Sequence, residues 1–140
     1  MILFYSLFFL AGCLKFGPDA ETVNPTVDQV SQCRRLMYLS PKVRIKPLGF
    51  KSVYGIDNAM WLKFSTDVHY HDQLFSFPDS AEVRQLQYVN DLLPINVYWW
   101  DVDVKKLDIR SYGLPNGCYM DVGLDEKESE TVVYIFWHET

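Results

Sequence analysis

The sequence predicts an α+β domain: an antiparallel sheet of four or five strands with two helices packed on one face. Three observations carry this. Short stretches alternate in polarity, as where Met60, Leu62 and Phe64 are interleaved with Trp61, Lys63 and Ser65. Two longer stretches repeat apolar residues at three- and four-residue steps, Val27, Val30, Cys33, Met37 and then Val83, Leu86, Val89, Leu93. The strands are joined by short turns, which argues against a doubly wound parallel sheet, whose strands need long crossovers.

Taken in order, Asn24-Pro25 is a helix start, a cap residue followed by proline. The spacing predicts a helix over 25–38 with Cys33 on its inward side, ended by Ser40-Pro41. Lys42-Val43-Arg44-Ile45-Lys46 alternates strictly and reads as a half-exposed strand, stopped by Pro47 and Gly49. Gly55 to Asn58 is a turn signal, and Ala59 to Ser65 a strand with one buried face. Asp67 to Phe75 reads as a capped helical turn. The clearest helix opens at Pro78-Asp79-Ser80, where Asp79 and Glu82 stand in a capping-box relation, and Pro94 closes it. A strand follows from Ile95 to Trp100, then a polar stretch to the turn Gly113-Leu-Pro-Asn-Gly117. Tyr119 to Leu124 and Thr131 to His138 are two more strands; the second is apolar on both faces, which places it centrally in the sheet. No repeat, low-complexity tract or internal boundary divides residues 24–140, which are expected to form one globular domain.

The bulk numbers narrow the function classes. A chain of 140 residues with 49% hydrophobic and 22% charged residues is globular in composition and long enough to bury a core without metal or disulfide. The aromatic share, 16%, is high, and aromatic residues serve protein interfaces as well as cores. The net charge of −5 is unevenly spread: from Gln29 to Lys63 seven bases face one acid, and from Ser65 onward fourteen acids face five bases. An acidic total without a basic-aromatic recognition motif excludes nucleic acid as the expected partner.

The opening run Met1 to Leu10 is apolar and uncharged, too short to cross a ~30 Å hydrocarbon core as a helix but of signal-peptide length. It ends in Leu10-Ala11-Gly12-Cys13. These four residues resemble the lipobox of bacterial lipoprotein precursors, position by position. The resemblance implies a signal peptide over 1–12, cleavage before Cys13, lipidation of the Cys13 thiol, and a tether over 13–23. Leu14 is not Asp, which by the family's sorting pattern implies the outer membrane. Two or three lipid chains give stable anchoring where one is marginal. Export would leave Cys33 and Cys118 as an even pair in an oxidising compartment, where a disulfide is the expectation and two buried free thiols the alternative.

The motifs that carry chemistry are sparse. His69-x-His71 would share an ion only on a strand, and its surroundings read as a helical turn; a third ligand would have to come from afar, as from His138 or Asp72. Asp101 and Asp103, with Asp121 and Asp125, lack the ligand spacing and glycine of a calcium loop. No nucleophile elbow, phosphate-cradling loop or dinucleotide fingerprint is present, so neither metal nor cofactor is expected. Tyr98-Trp99-Trp100-Asp101 is the stretch expected to bind, because adjacent tryptophans on a strand face opposite ways; burial of both is the alternative. Trp61 is the second candidate, sharing its side of a strand with Lys63 and Ser65.

The expectation is a lipid-anchored, non-catalytic module that binds a protein at the cell envelope, in an inhibitor, immunity or exclusion role. A hydrolase or metal-dependent enzyme using His69, His71 or His138 with nearby carboxylates is the alternative, and small-ligand carriage in an aromatic pocket a third.

Overall fold

A computed structural model describes residues 19–79, 84, 85, 92 and 95–139. The expected signal peptide, Cys13 and most of the helix expected from Asp79 lie outside the described residues. The chain is α+β. Its elements are β1 (Ala20–Thr22), α1 (Val27–Leu36), β2 (Lys46–Val53), β3 (Ala59–Thr66), α2 (His71–Leu74), β4 (Arg84–Gln85), β5 (Asp108–Gly113), β6 (Cys118–Glu126) and β7 (Thr131–Glu139). They form one antiparallel sheet in the order β1-β2-β3-β7-β6-β5-β4. The described strands number seven rather than four or five; the two edge strands are only three and two residues long.

Strand β7 runs through the middle, as its two-sided apolarity requires. Val133, Ile135 and Trp137 point to one face, and Val132, Tyr134 and Phe136 to the other. On the first face β3 and β6 add Met60, Leu62, Phe64, Met120, Val122 and Leu124. Helix α1 covers this face with Cys33 and Met37, and α2 adds Leu74. Burying a side chain of this size stabilises the fold by about 1.5–3 kcal/mol, so this layer is the main core.

Several elements depart from the expected boundaries. Helix α1 is capped by Thr26, not Asn24: the Thr26 hydroxyl accepts from the Gln29 N–H at 3.2 Å, and the Gln29 side chain accepts from the Thr26 N–H at 2.9 Å. Val27 lies on the exposed side of the helix. Residues 42–45 are not a strand. Arg34 holds that loop by donating to the carbonyls of Ser40 and Val43 at 3.1 and 2.9 Å. The strand begins where it was expected to stop and runs through Pro47 and Gly49, with its register shifting between them. β1 pairs only with residues 50–52, so the missing N–H of Pro47 costs no ladder bond on that side. Ala20–Thr22, expected as tether, is already sheet. Arg84 and Gln85, expected as helix, pair as strand with Gly113 and Tyr112.

The segment 95–107, expected to begin as a strand and continue as a polar stretch, instead crosses the second sheet face as irregular chain. Two glycines admit it. A Cβ on Gly49 would collide with the Trp99 indole, and one on Gly123 would meet Leu92 Cδ1 at 2.6 Å and Leu107 Cδ1 at 2.9 Å. Leu92, Trp99, Trp100, Val132 and Tyr134 form the second, smaller core. The sheet is therefore a middle layer, helices on one side and loop on the other.

Candidate functional site

The loop covers only part of the second face. Beyond it, β2, β3, β7 and β6 expose a continuous stack of side chains. Trp61 on β3 lies opposite Phe136 on β7, and their rings stack at 5.0 Å and 24°. Phe136 and His138, two residues apart on the same face of β7, stack at 4.9 Å and 20°. His138 lies opposite Tyr119 on β6, at 5.7 Å and 22°. At the other end Lys51, opposite Trp61 on β2, places its ammonium 5.6 Å from the indole centroid. All five side chains are half-buried. Each stacked pair contributes about 0.5–1.5 kcal/mol beyond its buried area, so the ladder holds its own geometry.

Trp61 is thus where sequence reasoning placed it, on the outward side of its strand. Trp99 and Trp100 are not. They are 5% and 4% exposed, pack edge to face at 6.0 Å and 89°, and belong to the core beneath the loop. The Trp99 indole N–H donates to Glu21 at 3.3 Å. The expected opposition failed because the backbone turns at Tyr98-Trp99, so neighbouring side chains are no longer alternated by a strand. The exposed aromatic residue of that stretch is Tyr98.

Next to the loop a polar cleft of about 390 Å³ opens between Lys63, Asp101, Asp103, Lys106, Asp125 and Tyr134. Its floor is a fixed triad: Lys63 Nζ is 2.7 Å from Asp101 Oδ1, and the Tyr134 hydroxyl donates to the same oxygen at 2.8 Å. Desolvation works against the Asp101 carboxylate, but the hydrogen bonds from Lys63 and Tyr134 and the Lys63 charge outweigh it and hold its pKa below the ordinary value. Burial, then the bond to Asp101, pushes the Tyr134 phenol up. Asp101 is therefore committed to its partners. Asp121 accepts from the Ser111 hydroxyl inside the sheet. Among the described residues no three His, Cys, Asp or Glu side chains form a group that could hold a metal ion.

The three histidines are not brought together. His69 Nδ1 lies 2.9 Å from the Thr131 hydroxyl, at one end of β7. His138 is seven residues along the same strand, roughly 23 Å away at strand rise. His71 is on the helical side, buried at 2% exposure, with Nε2 3.0 Å from the Asp108 carbonyl and 3.4 Å from its carboxylate. Burial lowers the His71 pKa, opposed by Asp108.

Cys33 and Cys118 are free thiols, so the expected bridge is not made. Cys33 is sealed in the inward face of α1, and burial pushes its pKa up to about 12. Cys118, at the start of β6, directs its thiol to the Asn116 carbonyl at 3.9 Å.

Comparison with protein families, curated proteins and solved structures gives no match. The site rests on its geometry alone.

Sequence reasoning missed Lys51, Phe136 and Tyr119, and considered His138 only as a metal-ligating or catalytic candidate. Their two-residue spacing on β7 was legible, since Phe136 and His138 must share a face. Which strands flank β7, and in which register, was not.

Proposed function

We propose that the chain is a small bacterial lipoprotein, lipidated at Cys13 and held at the outer membrane, whose domain is a non-catalytic protein-binding module at the cell envelope. The observation that supports this best is the half-exposed ladder Trp61-Phe136-His138-Tyr119. It is a preassembled aromatic surface on rigid strands, the type of side chain enriched where protein interfaces concentrate their binding energy. The anchor is supported by the lipobox resemblance. An inhibitor, immunity or exclusion role suits a stable surface that needs no reactive group.

The test has two arms in one bacterial strain. Wild-type chain should incorporate labelled fatty acid and remain with membranes, and Cys13→Ala should do neither. A photo-crosslinking amino acid at Trp61 or Tyr119 should give a discrete protein adduct in intact cells, and one at Val104 should not. Equal behaviour of wild type and Cys13→Ala sinks the anchor; the same adducts from all three positions sink the surface.

A further inference from the structure

We propose that the domain meets the bilayer with its β2–β3 turn, and that Ile56 at the tip enters the apolar boundary of the lipid. This rests on the reading of Cys13 as a lipid anchor and names the end of the fold which that anchor holds down.

The length of the tether decides which end is near the lipid. Leu14 to Pro18, five residues, separate Cys13 from Asp19. Six Cα steps span at most about 21 Å, so Asp19 stands no farther than that from the anchored residue. The Asp19 carboxylate accepts from the Tyr54 N–H at 2.7 Å, and Ala20 pairs with Ser52. The chain therefore enters the sheet beside the β2–β3 turn, and Tyr54 is two residues from Ile56.

The turn is built to present that side chain. Asn58 Oδ1 accepts from the Gly55 N–H at 3.3 Å, and the Asn58 side-chain amide donates to Glu139 at 3.0 Å. The Glu139 N–H donates to the Asn58 carbonyl, also at 3.0 Å. These bonds tie the turn to the end of β7 and hold the tip in place. Turns favour Gly, Asn, Asp and Ser, so a β-branched residue gains nothing there from local conformation. Yet Ile56 is fully exposed, the most exposed large apolar side chain among the described residues.

The other end of the sheet is unsuited to lipid. Glu126, Lys127, Glu128 and Glu130 at the β6–β7 turn are all exposed, with Asp67 and Asp108 at the same end. Seating that end on a bilayer would strip water from a row of charges, most of them acidic. Beside the tip stand Asp19, Asp57 and Glu139, so the contact draws on apolar burial and not on attraction to anionic headgroups. One isoleucine is too little to hold the domain by itself. The anchor supplies the local concentration at which its burial counts.

The experiment uses the full chain, isotope-labelled and made in bacteria with labelled fatty acid, purified with its lipid and reconstituted into phosphatidylcholine nanodiscs. Discs carrying a nitroxide on the lipid acyl chain broaden the NMR signal of each amide according to its distance from the bilayer. Amides 54–58 should broaden strongly and amides 126–130 should not. Ile56→Asp should lose the broadening at the tip while keeping its fatty acid, and Ile56→Leu should retain both. Beyond the turn, the spectra of both variants should match wild type. The pattern should persist at high salt and in discs containing phosphatidylglycerol, since screening leaves apolar contact intact. A lipidated chain whose tip broadens no more than residues 126–130 overturns the orientation and leaves the anchor standing. Tip broadening that survives in Ile56→Asp, or that salt removes, overturns the role of Ile56. A chain without fatty acid overturns the anchor and the orientation together.

Discussion

Burial takes the His71 imidazole out of water and leaves one nitrogen satisfied: Nε2 meets the Asp108 carbonyl, so it carries the proton, and Nδ1 has no partner among the described residues. A second proton would enter a buried site with no acceptor, and burial accordingly lowers the pKa from 6.5, against the pull of Asp108 and Asp72 and with the push of Arg110. In the unfolded chain the ring titrates near 6.5, so below that the unfolded state binds the extra proton and the folded state does not. Stability from this group is full above about pH 6.5 and declines as pH falls toward the lowered value. Denaturant midpoints measured from about pH 7 to about pH 5 should fall for wild type, and the slope should flatten in His71→Gln. An unchanged slope would mean that His71 is charged in the native state. None of this was legible in the sequence, where the stretch around His71 read only as a helical turn, because burial depends on where β5 lies.

At the scale of elements, local signals were read well where the element obeys them and badly where packing overrides them. The Met60, Leu62, Phe64 alternation gave β3 directly, since each of the three is fully buried. The capping box at Thr26 and Gln29 was present in the sequence, one residue past the Asn24-Pro25 signal that was preferred. Pro47 and Gly49 read as breakers, yet the strand passes through both. The proline is tolerated beside an open edge, and the glycine is there for Trp99. That contact is testable: Gly49→Ala puts a methyl group into the indole, and overpacking of this kind costs typically 1–3 kcal/mol. Urea unfolding should show that loss, with a changed near-ultraviolet tryptophan signal as Trp99 is displaced. A neutral substitution would contradict the packing of loop on sheet. Strand β5 was missed because Asp108-Ile-Arg-Ser-Tyr-Gly113 is polar enough to pass for loop; its hydrogen bonds to β6, not its own pattern, make it a strand.

For the whole molecule the decisive feature is that the sheet has two faces with different fates. The helical face is closed by α1 and α2. The other is closed by residues 95–107 at one end and left as the ring ladder at the other. This divides the tryptophans by role. Trp137, 1% exposed on the helical face, should cost about 3–5 kcal/mol of stability when changed to Ala. Trp61→Ala should cost less, because the side chain is only half-buried, yet it should abolish crosslinking from Tyr119. Parallel stability and crosslinking measurements on the two variants check this; a Trp61→Ala protein that crosslinks from Tyr119 as wild type does would remove the ladder as the site.

By itself the sequence determined the α+β class, the central strand β7, the inward face of α1 and the resemblance of residues 10–13 to a lipobox. Each of these is written in neighbouring residues, as a period, a cap or a short motif. Only the tertiary structure decided that Trp99 and Trp100 are core, that Cys33 and Cys118 stay apart, and that Lys51, Trp61, Phe136, His138 and Tyr119 form one surface. Those outcomes depend on strand order and register, which pair residues up to 79 positions apart, as with Ala59 and His138. No local pattern encodes such a pairing; it is set by which apolar faces bury each other best.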